Sequence, residues 1–344
     1  MKRLVLTAPA MLLTTLRDRF GDEGALEEGR VFLRDSGDRG PRRATAADGR
    51  DPCPAGREIQ VYPARASLHA VSSPPPADPG GRTQAGTSGD RTWTVLHDRG
   101  GLFAVSKPAG IPTIPDQGGT AGALQTEVAA LLKRPLAAIH PTSRLDREVS
   151  GVVIFAVDDQ ARIALAAARE AGNYRRRYVA LGRATSMQDP RIAGDRFVVD
   201  APIGRDRDPK RRKIHGREPA AAQSTVEILA RSNGPGKPAF AMNLYPHTGR
   251  THQLRLHAAH SGIPLLGDRT YGGETRLTGA DGSVIALPRI ALHAAEVSVP
   301  LGDGVLTIQA EVPAFFEETW RAFSTDPAPW AEEARSRAGA AETV

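Results

Sequence analysis

HPTSRLDREVSGVVIFAV, residues 140–157, is where the chain changes character. A charged loop holding Arg144, Asp146 and Arg147 runs into Ser150-Gly151 and then into an unbroken apolar run over 152–157. This apolar run, rich in β-branched side chains, reads as a buried strand over 151–157. Asp146 stands just before that strand, where a loop carboxylate can be held rigidly. Taken alone, an Arg-x-Asp is most often a surface salt bridge.

Outward from this stretch the text alternates between strands and a few helices. Asp158-Asp159 offer N-caps for ARIALAAARE, and Gly172 is a suitable residue to end that helix. A second helix is predicted over about 121–133. Strand-like runs fall at 93–97, 101–106, 178–182, 197–200, 224–230, 239–245, 251–257, 291–299 and 304–311. Strands in runs with helices inserted irregularly predict an α+β fold with a largely antiparallel sheet, not βαβ repeats.

A second stretch, LYPHTGRTHQLRLHAAHSGIPLLGDRTYGG at 244–273, is loaded with hydrogen-bond donors. Arg250, His252, Gln253 and Arg255 are unusual for an ordinary strand, and such side chains suit phosphates and base edges. Read as a strand, the stretch sets His252, Leu254 and Leu256 on one face and Gln253, Arg255 and His257 on the other. His252 and His257 then cannot share a metal ion, and no metal site is expected.

Composition narrows the classes. Gly 35 and Pro 27 are together about 18% of 344 residues, against roughly 12% in average usage. That much punctuation argues against a helical bundle or coiled coil. No apolar run approaches the roughly 20 residues of a membrane span. Lys2-Arg3 followed by Leu4-Val5-Leu6 imitates a secretory start, but Thr7 and Pro9 interrupt it. The single Cys53 allows no internal disulfide. A cytoplasmic, non-membrane protein is expected. There is no Walker loop, GxGxxG or GxSxG signature.

Charge is concentrated. The net charge is +6, yet residues 175–218 alone hold thirteen Lys/Arg against six Asp/Glu. A local basic field of this size suits a phosphate backbone. Residues 67–91 are rich in Pro, Gly, Ser and Thr without apolar periodicity, and read as a flexible linker. They separate an N-terminal region, 1–66, from a body at 92–323 and a polar tail at 324–344.

The body resembles the RluA-type RNA pseudouridine synthases over roughly residues 93–312. The resemblance rests on Lys107-Pro108-Ala109-Gly110, Arg144-Leu145-Asp146 with Ser150-Gly151, Tyr178-Val179-Ala180 and Pro202-Ile203-Gly204. It continues through Thr248-Gly249-Arg250-Thr251-His252-Gln253-Leu254-Arg255, Gly267-Asp268 with Tyr271-Gly272, and Leu292-His293-Ala294. Three positions depart from the family pattern: its signature His is Ser143, its Thr is Val149, and a common Lys is Arg176. Residues 1–66 have a fainter likeness to the small αL-type RNA-binding domain, interrupted by an insertion at 36–52.

The resemblance implies the pseudouridine synthase fold: a largely antiparallel sheet with flanking helices and a central cleft, preceded by a small N-terminal extension. It implies isomerisation of uridine in ribosomal or transfer RNA by a monomer, with no cofactor and no metal. Asp146 is implied as the catalytic carboxylate, Arg250 as its cationic partner and Tyr178 as the residue against the uracil. Arg144, Arg147, Arg176, Arg211, Arg212, Lys213, Thr251, His252, Gln253 and Arg255 are implied as RNA contacts. Two other classes compete: an RNA-binding protein that keeps the fold without turnover, and an N-glycosidase, which would want a second carboxyl such as Glu148.

Overall fold

The computed structural model describes residues 2–20, 26, 31–35, 42–44, 48, 52–61, 85–88, 91–115, 122–186, 195–232, 237–278, 284–301 and 304–330. The chain divides into two compact units, residues 1–67 and 68–344. The first holds β1 (Lys2–Val5), β2 (Ala10–Met11), α1 (Leu12–Thr15), β3 (Val31–Arg34), β4 (Arg42–Arg43), β5 (Pro52–Cys53) and β6 (Glu58–Val61). Strands β1, β6, β3 and β4 are neighbours in an antiparallel sheet. Its buried apolar side chains include Leu12, Leu16, Val31, Leu33, Cys53 and Ile59. Most of the 36–52 insertion lies outside the described residues.

The second unit begins with β7 (Ala85–Ser88), β8 (Arg91–Arg99), β9 (Leu102–Lys107), α2 (Leu124–Leu131), β10 (His140–Pro141), β11 (Ser150–Ala156), α3 (Asp159–Glu170) and β12 (Arg175–Arg183). It continues with β13 (Arg196–Asp200), β14 (Ile203–Arg205), β15 (Arg212–Ile214), β16 (Arg217–Ala220), β17 (Gln223–Arg231), β18 (Ala239–Pro246) and α4 (Gln253–His260). The last elements are β19 (Arg276–Thr278), β20 (Val284–Ala286), β21 (Leu292–Leu301), β22 (Gly304–Gln309) and α5 (Ala314–Arg321).

An eleven-stranded sheet runs β13-β17-β18-β12-β21-β11-β9-β8-β7, with β10 on β11 and β22 on β21. Every pairing in it is antiparallel except β11 with β21. The sheet is therefore largely antiparallel, as the run of strands predicts. A separate three-stranded sheet, β15-β14-β16, carries the basic segment.

β11 is buried along its whole length. Val153 and Phe155 pack with Phe103 and Val105 on one face. Val152 and Ile154 pack with Leu102 and Leu165 on the other. A period of two with both faces covered explains the unbroken apolar run. Helix α3 starts where expected, with Asp158 Oδ1 accepting from the Ala161 N–H at 2.7 Å.

Three expectations need correcting. Residues 251–257 are not a strand: the chain turns and enters α4. Six consecutive residues of α4, Gln253 to Ala258, are buried, apolar and polar alike, so over them the helix shows no 3.6-residue period of exposure. Part of the expected linker, 85–88, is strand β7 paired with β8; residues 67–84 lie outside the described residues. Helix α5, unanticipated by the strand-like reading of the C-terminal body, buries Phe316 and Trp320 against the sheet.

Candidate active site

The Asp146 loop is fixed from both sides by the segment after β9. Thr113 Oγ1 donates to the Leu145 carbonyl at 2.9 Å and accepts the Leu145 N–H at 3.0 Å. On the other side, the Arg147 carbonyl accepts the Gly110 N–H at 2.6 Å and Lys107 Nζ at 3.3 Å. Lys107, 1% exposed, also donates to the carbonyls of Pro108 and Ile111. Asp146 itself closes a turn, its carbonyl accepting the Val149 N–H. The departures Ser143 and Val149 are both buried, Val149 within the main core.

Gly151 lets this loop sit at the middle of the sheet. Its φ is +118°, and a Cβ there would lie 2.2 Å from the Ala294 carbonyl oxygen. Only a glycine allows that approach, and it is where β11 and β21 pair in parallel, Ser150 with His293 and Gly151 with Ala294.

Asp146 lies on an open cleft of about 630 Å³. Its carboxylate is 27% exposed. Arg255 Nη1 donates to Asp146 Oδ2 at 2.9 Å, while Arg255 Nε and Nη2 donate to both oxygens of Asp268 at 2.7 and 2.8 Å. Asp268 is fully buried. Although burial opposes its charge, the hydrogen bonds and charge of Asp268, with Asp146 beside them, hold Arg255 above the ordinary arginine range.

The expected partner, Arg250, makes a different contact: its Nε donates to the Ala221 carbonyl at 3.0 Å. The physical reason is the turn into α4, which brings Arg255 rather than Arg250 onto the carboxylate. Gln253 and Arg255, expected to hold RNA, are 4% and 6% exposed and direct their donors at protein acceptors. Gln253 Oε1 accepts from Thr248 Oγ1 and the Arg250 N–H, and its Nε2 donates to Gln223 and Ser224, bracing the turn. His257 is likewise internal, bonded to Ser224 and the Ala201 carbonyl.

Tyr178 lines the same cleft and is 6% exposed. The pairing of β12 with β21 shifts register between Arg177 and Tyr178, a bulge that re-aims the ring. Burial raises the Tyr178 hydroxyl above the usual tyrosine range, and the nearby Arg176 works against that rise. Arg144, Arg147, Arg169, Arg176, Arg212, Arg250, Thr251 and His252 belong to the charged and polar lining, with Asp146 as its only acid among the described residues. Arg211 and Lys213 are exposed and stand outside this lining, on or beside β15. Asp268 and Tyr271, which the reading of the sequence left without a role, complete the arrangement. The one signal for them was their place in GDRTYGG.

Comparison with known proteins bears on the family and the fold. Residues 101–260 match the sequence model of the family described as RNA pseudouridylate synthase. The chain is 31% identical over 252 residues to a ribosomal large subunit pseudouridine synthase D of Xanthomonas campestris, covering 70% of this chain and 72% of that protein. It is 32% identical over 254 residues to the protein of the same name in Xylella fastidiosa, covering 66% and 72%. The solved structure of human RNA pseudouridylate synthase domain containing 1 superposes with a TM-score of 0.52 at 19% identity, over 78% of this chain and 98% of that one, which speaks for the fold. The motifs, the sheet and the relatives converge on one assignment: this chain belongs to the RluA-type RNA pseudouridine synthases, isomerases that convert uridine in RNA to pseudouridine.

Proposed function

We propose that the protein isomerises a uridine of ribosomal RNA, with Asp146 as the catalytic carboxylate. The observation that carries this reading is the placement of Asp146, engaged through one oxygen by Arg255, in a cleft otherwise lined by arginines. The names of the relatives from Xanthomonas and Xylella favour the large ribosomal subunit.

The reaction breaks the N1–C1′ bond, turns the uracil, joins C5 to C1′, releases the C5 hydrogen to solvent as a proton and leaves N1 protonated, so that no atoms are gained or lost overall. A carboxylate facing the ribose serves it by attacking C1′ or by removing the 2′-proton. Arg255 supplies the positive charge that keeps company with an ionised carboxylate. Tyr178 lies where the uracil ring would stack, an interaction worth about 1–3 kcal/mol per base. Entry of the base requires leaving the RNA stack at a cost of a few kcal/mol, which phosphate contacts to Arg144, Arg147, Arg176, Arg250 and the β15 cations offset.

The test is to treat total RNA from the source organism with wild-type protein or Asp146→Ala and map pseudouridine by carbodiimide-dependent reverse-transcription stops. Stops with the wild type alone, in ribosomal RNA, are expected. Stops that persist with Asp146→Ala would remove the carboxylate from the mechanism, and stops confined to transfer RNA would overturn the substrate.

A further inference from the structure

His252 is the hinge between the Asp146 site and the basic hairpin. It occupies the left-handed region at φ 59°, immediately before α4, and its ring lines the cleft. Its Nε2 stands 3.8 Å from Asp146 Oδ2. Its Nδ1 stands 2.7 Å from the Tyr271 hydroxyl, and the two rings meet edge to face at 5.7 Å. That hydroxyl accepts the backbone N–H of Arg212, the first residue of β15, at 3.0 Å. Arg255 lies over the same Tyr271 ring, 5.0 Å from its centroid.

The Tyr271 oxygen takes the Arg212 N–H as an acceptor and has one proton of its own to give, with Nδ1 of His252 within reach to accept it. With the bond in that direction, a neutral ring carries its proton on Nε2. The groups facing the ring are Asp146 from the motif loop, Arg255 from α4, Asp268 and Tyr271 from the 268–271 turn, and Arg212 from β15. Burial lowers the His252 pKa below the usual histidine value, which keeps the ring neutral near pH 7. Arg255 Nη1 hydrogen-bonds Oδ2, and His252 Nε2 faces the same oxygen from 3.8 Å, a distance of electrostatic contact rather than of a hydrogen bond. Oδ1 accepts no hydrogen bond from any described residue.

We propose that His252 is a positioning residue for Asp146: Tyr271 holds it as the Nε2–H tautomer, and with Arg255 it anchors Oδ2 so that Oδ1 is the oxygen presented to the ribose. Because Tyr271 also anchors the start of β15, the hairpin carrying Arg211, Arg212 and Lys213 is tied to the orientation of that carboxylate. The proposal rests on the reading of Asp146 as the catalytic group.

The experiment uses total RNA labelled with tritium at uridine C5, drawn from a strain lacking this gene, and follows tritium release in single turnovers across pH. Tyr271→Phe keeps the ring under Arg255 and removes only the hydroxyl. His252→Asn keeps a residue tolerant of the left-handed backbone but withdraws the N–H from Asp146. Tyr271→Phe is expected to slow release about tenfold, the size of one lost hydrogen bond in a buried site, and His252→Asn by several-fold or more, with RNA affinity of His252→Asn within about twofold of wild type. In Tyr271→Phe the acid limb of the rate profile moves to higher pH, because the bond that favoured the neutral ring is gone. In His252→Asn the contribution of the imidazole to that limb is lost.

Wild-type rates and acid limbs in both variants, with Asp146→Asn inactive, would overturn the role of His252 while leaving Asp146 in place. A loss expressed wholly as weaker RNA binding would overturn it too, making His252 an RNA contact. Full turnover by Asp146→Asn would remove the reading of Asp146 itself, and the proposal with it.

Discussion

Arg255 spans two carboxylates of unlike exposure, and its worth differs at each end. Toward the cleft it meets Asp146, 27% exposed; toward the interior it forks onto Asp268, which is fully buried. Removing one partner of a buried ion pair strands the other without solvent. Arg255→Met should therefore destabilise the protein by about 3–5 kcal/mol in denaturant titrations, in addition to abolishing turnover. Arg255→Lys keeps the charge but cannot reproduce the three directed donors, so a smaller stability loss with a large fall in turnover is expected. At this scale the sequence was partly legible. Asp146 and Tyr178 could be singled out by motif, and both line the cleft. The cationic partner was read as Arg250, whereas Arg255 meets the carboxylate, because the outcome depends on whether the backbone there extends or coils. On a strand, His252 and Arg255 point to opposite faces; at the start of a helix, three residues apart, they meet over one carboxylate.

Among the elements, the pairing of β11 with β21 carries the site. It is the sheet's parallel contact, and Gly151 makes it possible by yielding space to the Ala294 carbonyl. Gly151→Ala would force a Cβ to 2.2 Å from that oxygen at a φ of +118°, which side chains rarely adopt. A loss of at least about 3 kcal/mol is expected, read as a lowered thermal midpoint, with turnover falling as the Asp146 loop shifts. A variant as stable as wild type would show that the strands can separate without harm. The buried strand β11 was readable from its apolar run, and α3 from its caps. Helix α4 was not, because a helix wrapped by protein on all sides shows no amphipathic stripe, and its alternating Leu and polar residues mimic a strand.

For the molecule as a whole, the decisive quantity is where the charge lies. A net charge of +6 says little, but a cleft lined by seven arginines and one carboxylate among the described residues is a polyanion site with one reactive exception. RNA binding should weaken linearly in log–log form as salt rises, each phosphate contact contributing a slope of roughly 0.7–0.9. Replacing Arg211 and Lys213 by Gln should reduce that slope by the share of two contacts while leaving single-turnover rates at saturating RNA nearly unchanged. An unchanged slope would place the RNA elsewhere. The family, the strand-rich class and the loop that bears Asp146 are legible along the chain, because motif spacing and apolar runs are local properties. Which arginine meets that carboxylate, that Asp268 backs it, and that Tyr271 joins His252 to the basic hairpin are settled by folding. Those contacts bridge residues up to 109 positions apart in the chain, and no local pattern encodes a distance that folding alone closes.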